Sequence, residues 1–132
     1  MHGFINNIEK LTLENSNFRS VIYTAKNMQL VLMSLEPNQE IGLEVHDTSD
    51  QFFRFESGEG KVVIDGVETT IKDGSAVIIP CGAKHNIINT STDKPLKCYT
   101  IYAIPHHKDK TVHATKQIAE SSEEEFDGVT TE

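Results

Sequence analysis

The chain has 132 residues, of which 37% are hydrophobic, and a formal net charge of −8 at neutral pH. This length suits one domain, and no apolar run approaches the roughly 18 residues of a membrane span. The charge balance offers no basic patch for nucleic acid. The first residues lack the positive flank and apolar core of a secretory signal, so we expect a cytoplasmic protein.

Most of the negative charge lies at the end of the chain. Residues 119–132 contain six acidic residues and neither Lys nor Arg, which leaves −2 for residues 1–118. We expect this acidic segment, which includes Glu123, to be a solvated and mobile tail. A short helix is predicted just before it, over residues 114–120.

Short strand-like runs separated by turn signals dominate residues 17–104. They fall at residues 18–23, 29–35, 41–45, 51–55, 61–64, 68–71, 76–79, 85–89 and 96–103. Asp65-Gly66 predicts a hairpin, because a tight primed turn requires positive φ angles. The pattern predicts an all-β antiparallel barrel or sandwich, with extensions at residues 1–16 and 105–132.

The most specific motif consists of Gly74, Pro80, Gly82, His85 and Asn89 at fixed spacing. Gly74 leads into a strand, Pro80 ends its pairing, and Gly82 permits the corner that returns the chain. His85 and Asn89 then lie on one face of the next strand, because side chains alternate along a strand. This spacing resembles the second cupin motif in full.

A preceding stretch resembles the first cupin motif with altered residues. Glu44 stands at the first His position, His46 at the second, and Gln51 where Glu is usual, while Gly58 follows at the expected distance. The resemblance covers residues 28–103. It implies the cupin double-stranded β-helix, a jelly-roll barrel.

Further segments narrow the resemblance to small single-domain bacterial cupins of the group called mannose-6-phosphate isomerase-like. These segments are residues 45–54, 58–60 and 99–107. The resemblance implies an activity on a sugar or another small polar substrate. It also implies a homodimer, formed through sheet edges that need covering or through swapped N-terminal strands.

Four residues are candidate ligands for a divalent metal ion: Glu44, His46, Gln51 and His85. Glu44 and His46 are two positions apart in a strand-like run, so their side chains point to the same side. A carboxylate, two imidazoles and an amide oxygen suit Zn, Fe, Mn or Ni. The same residues could instead form a hydrogen-bonded polar network without an ion.

Candidate pocket residues are Phe53, Asn89 and Tyr102, with core packing as the alternative for Phe53. A second group of polar residues follows the last strand and consists of His106, His107 and His113. These three histidines could form a second metal site, belong to a lid, or simply lie in a segment that is exposed to solvent.

Two classes of function follow from these residues. In an enzyme, a bound ion would polarise the substrate and Glu44, if it leaves the metal, would act as general base, for isomerisation or, with iron, for dioxygenase chemistry. In a binding module, the same pocket would hold or sense a small ligand without turnover. The sequence shows no Arg cluster for a phosphate, and Arg54 alternates away from Gln51, which argues against a sugar phosphate.

Overall fold

The computed structural model describes residues 1–122 and 124–132. Within these residues the chain forms two helices and nine strands. The helices are α1 (Ile8–Glu14) and α2 (Lys116–Ser121). The strands are β1 (Arg19–Thr24), β2 (Gln29–Leu35), β3 (Asp50–Ser57), β4 (Glu59–Ile64), β5 (Val67–Lys72), β6 (Ala76–Ile79), β7 (His85–Asn89), β8 (Leu96–Ala103) and β9 (Val112–His113).

The strands form two sheets around a shared core. One sheet has the order β6-β3-β8-β2-β1-β9, and the other has the order β5-β4-β7. The strand pairings are antiparallel throughout both sheets. Asp65 and Gly66 join β4 to β5 with φ angles of 47° and 83°, as the hairpin signal requires. These features confirm the predicted all-β antiparallel fold.

The inward side chains of β2, β8 and β3 form successive layers across the six-stranded sheet. The layers are Leu35 with Leu96; Met33 with Cys98 and Phe55; Val31 with Thr100 and Phe53; and Gln29 with Tyr102 and Gln51. Each of these side chains is at most 2% exposed. The interior therefore changes from apolar at one end to polar at the other, and the buried polar groups need partners there.

The predicted strand at residues 41–45 is reduced to two single-residue bridges. Glu40 pairs with Ile88 and Glu44 pairs with His85, so the segment follows β7 without a continuous ladder. Gly42 interrupts the extended run, with a φ of 110° that favours glycine. Its N–H donates to the Asn86 side chain at 2.9 Å and not to a strand carbonyl. The bridge at Glu44 holds this residue beside the first residue of β7.

Both terminal extensions add structure that the sequence pattern did not predict. Asn7 caps α1 by accepting a hydrogen bond from the Lys10 N–H. Strand β9 pairs with β1 and widens the larger sheet. The predicted C-terminal helix appears as α2, which begins at Lys116 after the Thr115 cap.

The described acidic side chains of the tail are exposed, as expected of a solvated segment, while groups of the tail form hydrogen bonds to the body. The Phe126 N–H donates to His106 O, and the Thr131 N–H donates to Thr24 O. The Glu132 carboxylate accepts hydrogen bonds from the Tyr23 hydroxyl and from the backbone near the N-terminus. Backbone groups thus hold the described tail against the body despite its charge. Glu123 lies outside the described residues.

No helix among the described residues is long and apolar enough to cross a membrane. The homodimer stays a prediction.

Candidate metal centre

Glu44, His46 and His85 bring their side chains together at the polar end of the interior. The Glu44 Oε2 lies 3.3 Å from His46 Nε2 and 4.0 Å from His85 Nε2. One ligand atom from each of the three residues lies within 4.8 Å of the others. Three of the four candidate ligands therefore converge, although His46 and His85 are far apart in sequence.

The corner of the Gly-Pro-Gly-His motif positions both histidines. Gly82, with a φ of 88°, donates its N–H to His46 O at 2.8 Å. Ala83 O lies 3.0 Å from His85 Nδ1, which fixes that ring nitrogen as the donor. His85 Nε2 is then the unprotonated nitrogen and presents its lone pair to the cluster.

Three buried polar atoms of this region have no hydrogen-bond partner among the residues that the structure describes: His46 Nε2, His85 Nε2 and Gln51 Oε1. His46 Nε2 lies 3.3 Å from Glu44 Oε2, so this nitrogen and the carboxylate are close enough to share one cation. Unsatisfied buried nitrogen and oxygen atoms are costly unless something else binds them. Two imidazole nitrogens and a carboxylate oxygen suit a first-row divalent ion, so the donor set fits a metal.

Gln51 is oriented with its oxygen available. The Nε2 group donates to Thr100 Oγ1 at 3.0 Å, and this assigns the other amide atom as the unpaired oxygen. The residue is 2% exposed and belongs to the polar layer with Tyr102. An amide oxygen is the atom through which Gln would contact a metal ion.

The protonation states around the cluster favour cation binding. Burial raises the pKa of Glu44, but the nearby imidazole of His46 and the charge of Arg19 outweigh it, so the pKa is lowered. Burial is the main cause of the lowered pKa of His85. At neutral pH Glu44 is therefore ionised and His85 is neutral, which are the forms that bind a metal.

Two of the predicted pocket residues have structural roles instead. Phe53 is 1% exposed and stacks on Phe55 with ring centroids 6.0 Å apart. Asn89 shares a face with His85 but lies at the other end of β7, about 13 Å away at about 3.3 Å per residue. Its side chain bonds backbone carbonyls there. The alternation of side chains along a strand predicts which face of the sheet a residue occupies, but not how deep in the barrel it lies.

Tyr102 does reach the cluster. Its ring centroid lies 5.6 Å from that of His46 in an edge arrangement. Its hydroxyl lies 3.3 Å from His107 Nε2. Burial, followed by the charge of Glu44, raises the Tyr102 pKa, so the hydroxyl stays protonated.

The histidines after β8 are part of this region and not an exposed segment. The His106 ring lies 4.4 Å from the His46 ring, and His107 is 7% exposed. His107 is held by Gln29, whose Nε2 donates to His107 O and whose Oε1 accepts from the His107 N–H. His113 lies in β9, where it faces Arg19.

A cavity of about 440 Å³ opens onto the cluster. Glu44 and His46 line one part of it together with His106 and His107. Phe18, Arg19, Ile41, Leu43 and Lys116 line other parts, and Glu120, Glu124 and Glu125 contribute carboxylates. Sequence reasoning missed Arg19, because nothing in the β1 pattern marks an Arg that faces a cavity.

A family model and two curated relatives match the chain. A family model described as "Cupin domain" matches residues 31–102. The chain is 42% identical over 127 residues to the uncharacterized protein YrkC of Bacillus subtilis, with 92% of the chain and 68% of YrkC covered. It is 39% identical over 108 residues to the uncharacterized protein L612 of Acanthamoeba polyphaga mimivirus, with 79% of the chain and 67% of L612 covered.

Solved structures give the same result. The crystal structure of BH2720 from Bacillus halodurans matches with a TM-score of 0.88 and 41% identity, covering 92% of this chain and 98% of that one. The crystal structure of TT1209 from Thermus thermophilus matches with a TM-score of 0.64 and 26% identity, covering 76% of this chain and 96% of that one. The jelly-roll barrel implied by the two motifs is therefore present.

Proposed function

The chain belongs to the cupin domain family, and we propose that it holds one divalent transition-metal ion for chemistry on a small polar substrate. Glu44, His46 and His85 would hold the ion, with Gln51 as a fourth ligand. The cavity beside them, of about 440 Å³, falls within the volume range of small-molecule sites. Zn, Fe, Mn and Ni all suit these donors.

The observation that carries this proposal is the pair of unsatisfied imidazole nitrogens. His46 Nε2 and His85 Nε2 are buried without a hydrogen-bond partner in the described residues, and both face the Glu44 carboxylate. A purely structural polar network would pair these atoms with each other or with the protein. A cation among them would satisfy both nitrogens and the carboxylate.

The ion supplies a Lewis acid that polarises a carbonyl or hydroxyl group. Glu44 is ionised and lines the cavity, so it is the residue placed to accept a proton from a bound molecule when its carboxylate is released from the ion. The rings of His46 and Tyr102 pack edge to face beside the cluster, with centroids 5.6 Å apart. Interconversion of an aldose and a ketose, as in the isomerase-like resemblance, is the reaction that this arrangement would serve.

Metal analysis of the protein and its variants tests the site. We expect about one equivalent of a transition metal after reconstitution, and none in His46→Ala or His85→Ala, since losing one of four ligands leaves an incomplete site. His2→Ala is the matched control, because this His is exposed near the N-terminus. Less than about a tenth of an equivalent in the reconstituted wild type would contradict a metal centre.

Turnover assays separate the enzyme from a binding module. Metal-loaded protein is screened by thermal shift against aldoses, ketoses and their phosphates, and each stabilising compound is assayed for interconversion. We expect turnover that Glu44→Gln abolishes even in protein whose metal content equals that of the wild type, because the amide cannot accept the proton. Compounds that stabilise the protein without ever reacting would identify a non-catalytic binding module instead.

A further inference from the structure

Arg19 is a cationic group of the cavity that forms no ion pair with a carboxylate of the described residues. The Arg19 Nε is buried and has no hydrogen-bond partner in residues 1–122 and 124–132. A buried guanidinium donor without an acceptor is unfavourable unless a ligand provides one.

The position of the Arg19 side chain is set by neighbours that do not neutralise it. The guanidinium carbon lies 5.3 Å from the centroid of the Phe18 ring, which supports one face. Nη1 lies 3.5 Å from His113 Nδ1, a long contact with a ring whose pKa is lowered by burial and by Arg19 itself. The guanidinium is thus oriented in advance, which reduces the entropy cost of binding an anion.

Two of the carboxylates that line the cavity form ion pairs with lysines. Glu120 pairs with Lys116 at 3.7 Å, and Glu124 pairs with Lys108 at 3.9 Å. Glu44 faces the two histidines. The charge of Arg19 acts on another residue of the cavity, His107. Burial is the main cause of the lowered pKa of His107, and the charge of Arg19 is the second.

We propose that Arg19 binds an oxyanion group, a carboxylate or a phosphate, of a small molecule whose remaining part faces Glu44 and His46. This proposal rests on the proposed function and adds a substrate class to it. Arg19 and the metal cluster line one cavity, so one molecule can reach both. The carboxylates of Glu120, Glu124 and Glu125 at the same cavity disfavour a polyanion and favour a single anionic group.

Titration of metal-free protein with inorganic phosphate and with malonate tests the proposal directly. The chain contains two arginines, Arg19 and Arg54, so the side-chain Nε–Hε NMR signals distinguish them. We expect saturable movement of the Arg19 signal with one or both anions at constant ionic strength, and no movement with chloride. The anion that binds more tightly identifies carboxylate or phosphate as the preferred group. No movement with either anion overturns the proposal.

Matched variants give a second measurement. Arg19→Gln should weaken binding of the preferred anion about tenfold or more, because it removes a charge-assisted contact, whereas Arg54→Gln should change it less than about twofold. Arg54→Gln makes the same charge change in β3, where Arg54 pairs with Glu56 at 3.2 Å. Equal effects of the two variants would overturn the proposal. If Arg19→Gln does not fold, the wild-type titration and the same anion-binding measurement on Arg19→Lys test the proposal.

Reconstitution of the same metal-free protein with Zn, Fe, Mn or Ni, measured in parallel, separates this inference from the proposed function. Protein that takes up one of these metals but binds neither anion retains its metal centre and loses the Arg19 site. Protein that binds an anion through Arg19 but takes up none of the metals retains the anion site and loses the metal centre.

Discussion

At the scale of single residues, Asn89 shows how a motif residue can serve the fold. Its Nδ2 group lies within hydrogen-bond distance of three backbone carbonyls, those of Leu35, Glu36 and Lys94, at 2.9–3.1 Å. Its Oδ1 accepts from the Ser91 N–H at 2.9 Å. One buried amide therefore joins the ends of β2 and β7 to the turn before β8.

We predict that Asn89→Asp lowers the free energy of unfolding by about 2–4 kcal/mol, because a carboxylate cannot donate to buried carbonyls. Metal stoichiometry at neutral pH should stay that of the wild type, since Asn89 lies far from the cluster. Asn86→Asp is the matched control: its oxygen accepts from the Gly42 N–H, and Asp keeps that bond. Denaturant unfolding measures both, and equal stability of the two variants would contradict this role.

At the scale of elements, the smaller sheet depends on close contact at Gly60 in β4. A Cβ at this position would meet the Ile88 carbonyl oxygen of β7 and the Leu96 side chain. Gly66 in the hairpin is a different case, because its φ is positive while the space around it is open. At Gly60 the lack of space excludes a side chain, whereas at Gly66 the backbone conformation is what favours glycine.

We predict that Gly60→Ala destabilises the protein by about 1–3 kcal/mol through steric contact with backbone that cannot move aside. Gly66→Asn should be nearly neutral, since Asn tolerates positive φ and meets no neighbour there. Thermal unfolding of the two variants provides the comparison. A Gly60→Ala protein as stable as the wild type would show that β4 and β7 can separate without cost.

At the scale of the whole molecule, Glu132 joins the two terminal extensions. Its carboxylate accepts from the His2 and Gly3 N–H groups and from the Tyr23 hydroxyl. The Tyr23 hydroxyl and then these backbone groups lower the pKa of Glu132 below its usual 4.5. A lowered folded pKa stabilises the docked tail above pH 4.5, and this stabilisation is lost as the pH falls through the lower value.

We predict that the His2 and Gly3 amides lose protection from hydrogen exchange as the pH falls below 4.5, after correction for intrinsic rates. Glu132→Gln should remove this pH dependence, because its amide does not titrate in that range. Protection of the two amides that stays constant through the same range in the wild type would contradict the role of the carboxylate.

The sequence by itself determined strands β1 to β8, the hairpin and the places of both site histidines within their motifs. Period-two alternation and turn chemistry are local properties, and they predicted β7 and β8 with the bounds that the structure has and β3 to within two residues. The cupin motifs are also local, since Gly82 and His85 lie within one corner. The family is confirmed, while the isomerase-like subgroup stays a prediction.

Only the tertiary structure decided what surrounds the cluster. Arg19, His46 and His106 come from distant parts of the chain, and no periodicity indicates that they share a cavity. The alternation of side chains predicted that Asn89 and Phe53 face inward. In the structure both lie deeper in the barrel than the polar layer that contains Gln51 and Tyr102. Backbone hydrogen bonds join Phe126 and Thr131 to the body, and the charge of this segment does not predict them, whereas its described acidic side chains are exposed as expected. Short-range patterns determine the elements, whereas long-range packing determines which side chains meet.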